Sequence, residues 1–407
     1  MLLLSSLLPY SKLANMDSKD SKDPFKNYAM KILFITHHFL TGTGGGVFAS
    51  KAYINAFVKN STEMKLLYPI KDKAEKIEDI DQNIKLCPIS YSKPKWKKFL
   101  DLLIGRVHRY YHAVPQLLTE EKFDIVVFDN SKTSFRLIDI AHQYGSKVIV
   151  IHHNFEYEYV RDNSTGILRS LQLFWTKRYE RDATLKSDLN LTLTKQDADL
   201  LCKAFNGNKN SFKLLGTFEF VPYVAKMIKN DGDSKNRFVI TGNLSAMQTE
   251  HSLLKWLKDY YPILKDCFPS SSLTIAGKNP SQAIQRQCSN LGIRLIPSPE
   301  SMDDVLQDAD FYICPTELGG GLKLRVMDGL RWGLPVVTHK VSARGYDLFE
   351  EKGILLSYSN KIEFKNALLT FSEMNIDKQK VIDMYQNIFS FAAGVKRVKE
   401  LIESLKK

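Results

Sequence analysis

The sequence predicts an α/β protein built from two Rossmann-like domains, each with a parallel sheet, that face each other across an interdomain cleft. Three observations predict this class. Short apolar runs typical of buried strands alternate along the chain with stretches of helical periodicity. This rhythm stops at a polar stretch in mid-chain, residues 230–236 (NDGDSKN), and then begins again. A length of 407 residues is enough for two domains that each bury a full core.

Composition limits the class of protein further. A hydrophobic share of 44% and a charged share of 25% are globular values. The net charge of +12 favours acidic partners: phosphate-bearing ligands, nucleic acid or an anionic membrane surface. The five cysteines are scattered without a CxxC pair, which indicates a reducing compartment and argues against a structural zinc site. No apolar run approaches the roughly 20 residues that a membrane-spanning helix needs.

The predicted domain organisation has four parts. Residues 1–29 are expected to be a disordered leader or to precede a true start at Met30. Residues 30–225 form the first domain and residues 226–385 the second. Residues 386–407 are predicted to be a terminal helix that packs back on the first domain.

The first domain begins with a strand, a glycine-rich loop and a helix. Residues 30–39 (MKILFITHHF) predict a first strand with a basic-then-apolar start, the loop TGTGGG follows at 41–46, and residues 47–58 are predicted to be a helix. The third position of a dinucleotide fingerprint falls on Val47, and no Lys-Ser/Thr pair follows, so neither that fingerprint nor a P-loop is present. Two interpretations of Gly45 and Gly46 stay open: a loop that borders the cleft, or a tight strand–helix turn.

A second candidate segment in the first domain is HHNFEYEY, which follows the predicted strand 147–152. His153 therefore emerges at the carboxyl end of a strand, where open α/β sheets bind ligands. The spacing of the histidines and Glu156 differs from the HExxH pattern of zinc proteases. The alternative is that the histidines only satisfy hydrogen bonds in the core.

Residues 91–118 combine lysines and arginines with aromatic and apolar residues at helical spacing. Such a segment suits a membrane surface or a lipid-linked diphosphate. The alternative is an ordinary helix of the domain with a solvated basic side.

The second domain contains the most informative stretch, residues 311–347. An apolar strand at 311–314 precedes the glycines 319–321, a helix is predicted over 322–332, Gly333 is a natural C-terminal cap, and a further strand is predicted from residue 334. Lys323 and Arg325 add two cations to the predicted first turn, where the helix dipole disfavours them unless they bind an anion such as a diphosphate. Asp328 could accept hydrogen bonds from the hydroxyls of a ribose. The alternative is a surface salt bridge between Arg325 and Asp328.

Two further loops of the second domain follow predicted strands. Gly242 lies in the loop TGNLS, and Lys278 ends the strand predicted at 273–276. Because both lie at the carboxyl ends of strands, they are expected to face the same crevice as Lys323 and Arg325.

This pattern resembles the GT-B glycosyltransferases, and most closely the retaining family 4 group that builds bacterial surface polysaccharides. The family signature G-x-G-x-[KR]-x-[KR]-x-x-[ED], followed by G-x-P-V-V, is similar to residues 319–337 here. The TGNLS loop, the glycine loop after the first strand and the HHNFEYEY segment also resemble the family. The resemblance covers the chain from about Met30 to its end.

The resemblance implies a fold, an activity and a set of site residues. The fold is GT-B, and the activity is transfer of a hexosyl or related sugar from a nucleotide diphosphate sugar to a glycan or lipid-linked acceptor, without a metal or cofactor. Lys323 and Arg325 would neutralise the diphosphate, Asp328 would hold the ribose, and His153 would line the acceptor side. The remaining residues expected to contact the donor are Gly45, Gly46, Gly242, Asn243, Lys278, Gly320, Gly321 and Leu322.

The resemblance also implies a location and leaves an alternative. The protein is expected in the cytoplasm at the inner face of the membrane, with no nucleic-acid partner, since no nucleic-acid-binding motif is present. Many family members carry a Glu at the position of Gly320, and Glu317 is out of register with it. The alternative is therefore a catalytically weak GT-B-like protein that binds a partner or a glycan.

Overall fold

The computed structural model describes residues 30–42, 44–71, 77–90, 95–105, 110–220, 236–374 and 376–405. The predicted leader 1–29, the linker-like stretch 230–235, and parts of the basic segment 91–118 lie outside these ranges. Within them the protein is an α/β structure with two parallel sheets, one of seven strands and one of six. No helix of the described residues is long and apolar enough to cross a bilayer.

The first sheet has the strand order β3-β2-β1-β4-β5-β6-β7. Its strands are β1 (Lys31–Thr36), β2 (Glu63–Ile70), β3 (Lys85–Ser90), β4 (Ile125–Asp129), β5 (Lys147–His152), β6 (Leu189–Thr192) and β7 (Phe212–Leu214). The helices that cover it are α1 (Gly45–Lys59), α2 (Lys95–Ile104), α3 (Tyr110–Glu120), α4 (Ser131–Ser134), α5 (Ile138–Gln143), α6 (Glu156–Asn163), α7 (Arg169–Lys186) and α8 (Lys195–Phe205). Buried aliphatic and aromatic side chains cover both faces of this sheet, as expected for parallel strands.

The second sheet has the strand order β10-β9-β8-β11-β12-β13. Its strands are β8 (Arg237–Asn243), β9 (Ser272–Lys278), β10 (Arg294–Pro297), β11 (Phe311–Cys314), β12 (Val336–His339) and β13 (Leu355–Tyr358). The helices of this half are α9 (Met247–Asp259), α10 (Tyr261–Cys267), α11 (Gln282–Asn290), α12 (Asp303–Leu306), α13 (Arg325–Arg331), α14 (Asp347–Glu351), α15 (Lys361–Glu373) and α16 (Lys378–Phe389). Two hydrophobic clusters again cover its two faces.

Each sheet has one point at which the strand order reverses. In the first sheet the point lies between β1 and β4, and in the second it lies between β8 and β11. Connections leave opposite faces of the sheet at such a point, so a crevice opens at the carboxyl ends of these strands. The fold therefore directs the loops after β1, β4, β8 and β11 to the positions where ligands bind.

The last helix, α17 (Phe391–Ser404), was predicted over residues 386–407. Its apolar side chains Val398, Leu401 and Ile402 join the core of the first domain rather than that of the second. Arg397 donates hydrogen bonds to the carbonyls of Leu215, at 2.6 Å, and Ile388, at 2.7 Å. The end of the chain thus ties the two halves together.

The helix predicted over 322–332 begins three residues later, at Arg325, and this part of the prediction was wrong. Residues 322 and 323 are irregular and Leu324 forms a turn, so Lys323 precedes the helix instead of lying in its first turn. Leu322 packs against hydrophobic clusters of both domains. The apolar spacing that suggested an earlier helix start therefore comes from contacts between the domains. Gly333 ends the helix with φ 70° as predicted, and the amide of Leu334 donates a hydrogen bond to the carbonyl of Gly329.

An interdomain cavity as the candidate active site

A cavity of about 650 Å³ lies between the two domains at the carboxyl ends of both sheets. Loops after β1, β4 and β5 line it from one side, and loops after β8 and β11 line it from the other. The structure brings all the predicted site residues to this cavity except Lys278: Gly45, Gly46, His153, Gly242, Asn243, Gly320, Gly321, Leu322, Lys323, Arg325 and Asp328. Their individual roles remain predictions.

The glycine loop 319–321 brings the second domain close to the first. Gly319 and Gly321 have φ values of 85° and 67°, in the left-handed region that favours glycine. A Cβ atom on Gly321 would lie 3.0 Å from the carbonyl oxygen of His153. The loop can therefore follow this path only with glycine at position 321, and the cavity is closed on this side by backbone.

Lys323 directs its ammonium group into this loop. Its Nζ donates a hydrogen bond to the carbonyl of Gly320 at 2.9 Å. No carboxylate of the described residues lies within ion-pair distance of this ammonium. Burial, together with the nearby positive charge of Arg325, lowers the pKa of Lys323 to about 8. A bound anion would reverse this shift, because it would favour the charged form.

Arg325 is held by hydroxyl groups rather than by a carboxylate. Its guanidinium donates to Thr316 Oγ1 at 3.1 Å and to Thr249 Oγ1 at 2.9 Å. A Cβ atom on Gly242 would lie 2.9 Å from Nη1 of Arg325. The expectation for Gly242 was a close approach of its backbone to a ligand, but the structure shows that the missing side chain also makes room for the guanidinium.

Asp328 pairs with Arg331 rather than with Arg325. Its Oδ1 accepts from Arg331 Nη2 at 3.3 Å, and its Oδ2 accepts from Thr241 Oγ1 at 3.2 Å. The surface salt bridge between Arg325 and Asp328 that the sequence left open is thus not formed. Burial raises the pKa of Asp328, although the charge of Arg331 and the hydrogen bond from Thr241 oppose this. Its carboxylate lines the cavity with 30% of the side chain exposed.

Opposite these cations, His153 and Asp129 form a hydrogen-bonded pair. Nε2 of His153 lies 2.5 Å from Oδ1 of the fully buried Asp129. The other carboxylate oxygen accepts from Thr36 Oγ1 at 2.7 Å and from Ser50 Oγ at 2.5 Å. Burial would raise the pKa of Asp129, but the charge and hydrogen bond of His153 outweigh it and lower that pKa. Burial likewise opposes the charged form of His153, yet Asp129 raises the pKa of His153 above its usual value.

Two further histidines after β1 stand beside this pair. Burial and the neighbouring His38 lower the pKa of His37 well below its usual value, despite an opposing attraction to Asp129. The pKa of His38 is lowered to about 4, mainly by burial. His153 is therefore the histidine of this group that carries a proton most readily near neutral pH.

Sequence reasoning missed Asp129, His37 and His38. A signal was present, because β4 ends at Asp129 just as β5 ends at His152. β4 and β5 are parallel neighbours, with Asp129 opposite Ile151. Residues that end adjacent parallel strands lie at one edge of the sheet, so the alignment of the two strand ends would have indicated the pair.

His38, Asp129 and His153 also offer ligand atoms within 4.8 Å of one another, which is a spacing that could hold a metal ion. Two ligand atoms of one tetrahedral zinc lie about 3.3 Å apart, given bonds of about 2.0 Å. The 2.5 Å between His153 and Asp129 is shorter and corresponds to a hydrogen bond. This geometry fits a proton between the two side chains better than a shared metal.

Lys278 is exposed at the end of β9 and is not among the residues that line the cavity. Its backbone pairs with Asn243, and its carbonyl accepts from the amide of Leu244 at 2.9 Å. β9 lies one strand away from the reversal point between β8 and β11. The prediction that its side chain faces the same crevice as Lys323 is not supported by this geometry.

We expect the affinity for a nucleotide diphosphate sugar to fall as the pH rises through about 8, because free Lys323 loses its proton there. Binding favours the charged amine, so the dissociation constant should rise by up to about tenfold per pH unit above this value. Titration calorimetry between about pH 6.5 and about pH 9.5 measures this. Lys323→Arg keeps its charge and should give a flat profile. A flat profile for the unaltered protein would contradict the assignment.

Asp129→Asn should lower the pKa of His153, since the substitution removes the negative charge that holds the imidazolium. NMR titration of the imidazole carbon-bound protons measures the shift. Ser50→Ala is the matched control, because it removes one hydrogen bond to the carboxylate and leaves its charge in place. An unchanged pKa of His153 in Asp129→Asn would show that the pair is not coupled as the geometry indicates.

Comparison with known proteins gives a family match for one part of the chain and a fold for most of it. Residues 235–373 match the profile of the family described as "Glycosyl transferases group 1". A comparison of the sequence with curated proteins finds no match.

Several solved structures align with more than nine-tenths of this chain at low sequence identity. The lipopolysaccharide outer core galactosyltransferase WaaB aligns with a TM-score of 0.63 and 14% identity, over 92% of this chain and 99% of its own. HepE of Anabaena, in complex with UDP-glucose, aligns with a TM-score of 0.61 and 13% identity, over 92% of this chain and 100% of its own. The sucrose-phosphate synthase of Thermosynechococcus elongatus aligns with a TM-score of 0.66 and 12% identity, over 93% of this chain and 99% of its own. The protein therefore has the GT-B fold, and the resemblance to group 1 glycosyltransferases that the sequence indicated is confirmed.

Proposed function

We propose that the protein transfers a sugar from a nucleotide diphosphate sugar to a glycan or lipid-linked acceptor. The observation that carries the proposal is the pair of cations, Lys323 and Arg325, on the wall of the interdomain cavity. Neither has a carboxylate partner among the described residues, and both are partly buried. Two positive charges held close together without compensation are unfavourable unless an anion binds between them. A diphosphate supplies that anion.

The same charges account for catalysis. In the transfer, the oxygen of the acceptor hydroxyl bonds to the anomeric carbon, while the bond from that carbon to the diphosphate oxygen breaks. The electron pair stays on the departing diphosphate, and the hydroxyl proton passes to a departing phosphate oxygen. Cations fixed before the reaction stabilise this developing charge without reorganisation, and so lower the barrier. We assign this role to Lys323 and Arg325, and the binding of the ribose hydroxyls to Asp328.

We further propose that the reaction retains the anomeric configuration and needs no metal ion. The glycosyltransferase group whose signature residues 319–337 resemble retains the anomeric configuration of the transferred sugar. Two side-chain cations can neutralise the diphosphate in place of a divalent metal ion. Glu317, which was out of register in the sequence, is bound to Lys255 at 2.7 Å and does not line the cavity. NMR of the first-formed product identifies the anomer. An inverted product, or loss of activity with a chelator, would overturn these two points.

The role in surface polysaccharide synthesis is also a proposal. One similar structure, WaaB, is a lipopolysaccharide outer core galactosyltransferase, and HepE was solved with UDP-glucose. The ligand of HepE makes a uridine diphosphate sugar the first donor to test. The competing function is a GT-B-like protein that binds a partner or a glycan without turnover, and the intact set of Lys323, Arg325 and Asp328 argues against it.

A thermal-shift series of the chain from Met30 with UDP-, GDP-, ADP- and CMP-sugars tests the donor site. A ligand that binds only the folded protein raises its melting temperature by mass action. We expect one nucleotide sugar to raise the melting temperature. Its dissociation constant should be about tenfold to a hundredfold higher in Lys323→Ala, because a charged hydrogen bond is lost. The exposed Lys352→Ala is the matched control. No shift at millimolar concentration with any of the four nucleotides would favour the binding protein without turnover.

We propose peripheral contact with an anionic membrane at the cytoplasmic face through α2. Trp96 and Phe99 of this helix are 60% and 49% exposed. Exposed aromatic side chains on an amphipathic helix insert at the boundary of headgroups and acyl chains. Other large apolar side chains exposed on α2 are Leu100, Leu103 and Ile104.

Sedimentation with vesicles of phosphatidylglycerol and phosphatidylcholine tests this contact. The double variant Trp96→Ser and Phe99→Ser should sediment about tenfold less than the unaltered protein, because two buried aromatic contacts are lost. Ile362→Ser, at an apolar residue of the second domain that is even more exposed, should sediment normally. Equal sedimentation of the double variant and the unaltered protein would exclude α2 as the contact.

A further inference from the structure

A second cavity, of about 360 Å³, lies within the first domain and adjoins the interdomain cavity. Its walls come from α2, α4, α6, α7 and the loops after β1 and β4. Four residues line both cavities: His37, Asn130, Glu156 and Tyr159. The two spaces therefore meet at the carboxyl ends of β1 and β4, next to the proposed site of sugar transfer.

The lining of the second cavity combines aromatic rings with hydrogen-bonding groups. Trp175 and Tyr179 of α7 stack on each other with ring centroids 6.3 Å apart, and Tyr159 is exposed at the junction. The Nε1–H of Trp175 is buried and has no acceptor among the described residues.

The indole of Trp175 is held in place by the end of α2. Gly105 has φ 64°, and a Cβ atom there would lie 2.3 Å from Cε3 of Trp175. Leu102 of α2 also lines the cavity. The wall on this side is therefore packed against the helix whose outer apolar residues are exposed.

The charges of the second cavity differ from those of the first. Lys132 and Glu156 are the two residues of opposite charge in its lining, and no ion pair of Lys132 is formed within the described residues. Burial lowers the pKa of Lys132, although Glu156 opposes this. Burial raises the pKa of Glu156, against the charge of His153 and a hydrogen bond from Asn130. Burial also keeps His37 neutral near pH 7. The lining thus carries little net charge, whereas Lys323 and Arg325 make the interdomain cavity positive.

Helix α6 places Glu156 and Tyr159 at the junction, and a buried carboxylate fixes this helix. Glu180 of α7 accepts from the amides of Glu156, at 2.6 Å, and Tyr157, at 3.1 Å. These amides belong to the first turn of α6, which has no side-chain cap of its own. The junction is therefore preorganised by the same helix that carries Trp175.

We propose that the second cavity binds a neutral sugar residue of the acceptor, with its attacking hydroxyl directed to the junction at Asn130 and Glu156. Aromatic rings pack against the apolar face of a pyranose, and amide, carboxylate and ammonium groups bind its hydroxyls. A volume of about 360 Å³ is enough for one or two sugar rings. This inference rests on the proposed function, and it assigns the substrate class of the acceptor side: a glycan end rather than a lipid phosphate alone.

The test measures binding of defined probes to the full chain by saturation-transfer NMR. The neutral probes are methyl glucoside, methyl galactoside and methyl mannoside, and the competing probes are glucose 6-phosphate and farnesyl diphosphate. We expect at least one neutral glycoside to bind. Trp175→Phe, which reduces the aromatic surface of the cavity wall, and Lys132→Met, which removes the ammonium group, should each weaken its binding about threefold to tenfold. Lys177→Met, at an exposed lysine of α7 outside the cavity, is the control.

The nucleotide thermal shift of the same variants separates two failures. If nucleotide binding is intact in all of them and a glycoside binds less well only to Trp175→Phe and Lys132→Met, the assignment is supported. If nucleotide binding is intact but no neutral glycoside binds, or only the phosphorylated probes bind, the second cavity is not a neutral sugar site. Equal glycoside binding by the variants and the unaltered protein also overturns it. Absence of every nucleotide shift would instead contradict the proposed function itself.

Discussion

The positive charge of Lys323 and Arg325 is the constraint on which the rest of the site depends. Uncharged groups hold both side chains, namely the Gly320 carbonyl and the hydroxyls of Thr249 and Thr316. Hydroxyl and carbonyl partners fix the direction of a cation without neutralising it, so its charge remains available to an anion. Burial and the charge of Arg325 lower the pKa of Lys323, so its charged form is less favourable in the folded protein until an anion compensates it.

The two domains contribute opposite halves of the chemistry. The second domain contributes the two cations proposed to bind a diphosphate, and the first contributes the Asp129–His153 pair and the cavity around Trp175. The glycine loop at 321 and the side chain of Leu322 bring these halves into contact. Helix α17 returns to the first domain and reinforces their connection. A donor and an acceptor bound at the two sites would meet at the junction of the cavities.

Much of the fold and part of the site could be predicted from the sequence. Apolar runs identify strands directly, and the glycines, cations and carboxylate of residues 319–328 lie close together in the chain, so local spacing was enough to group them. The start of α13 could not be predicted because Leu322 mimics helical spacing while it packs between domains. The position of Lys278 outside the cavity lining depends on strand order, which is not encoded by any one segment. Asp129 and His153 are 24 residues apart, and their contact depends on the pairing of β4 with β5.

A crystal structure of the chain with a bound nucleotide diphosphate sugar tests the central claim most directly. The account predicts that the diphosphate oxygens lie within hydrogen-bonding distance of Lys323 Nζ and the Arg325 guanidinium, and that the sugar points toward His153. A diphosphate bound elsewhere, with both cations still facing only Gly320, Thr249 and Thr316, would contradict it.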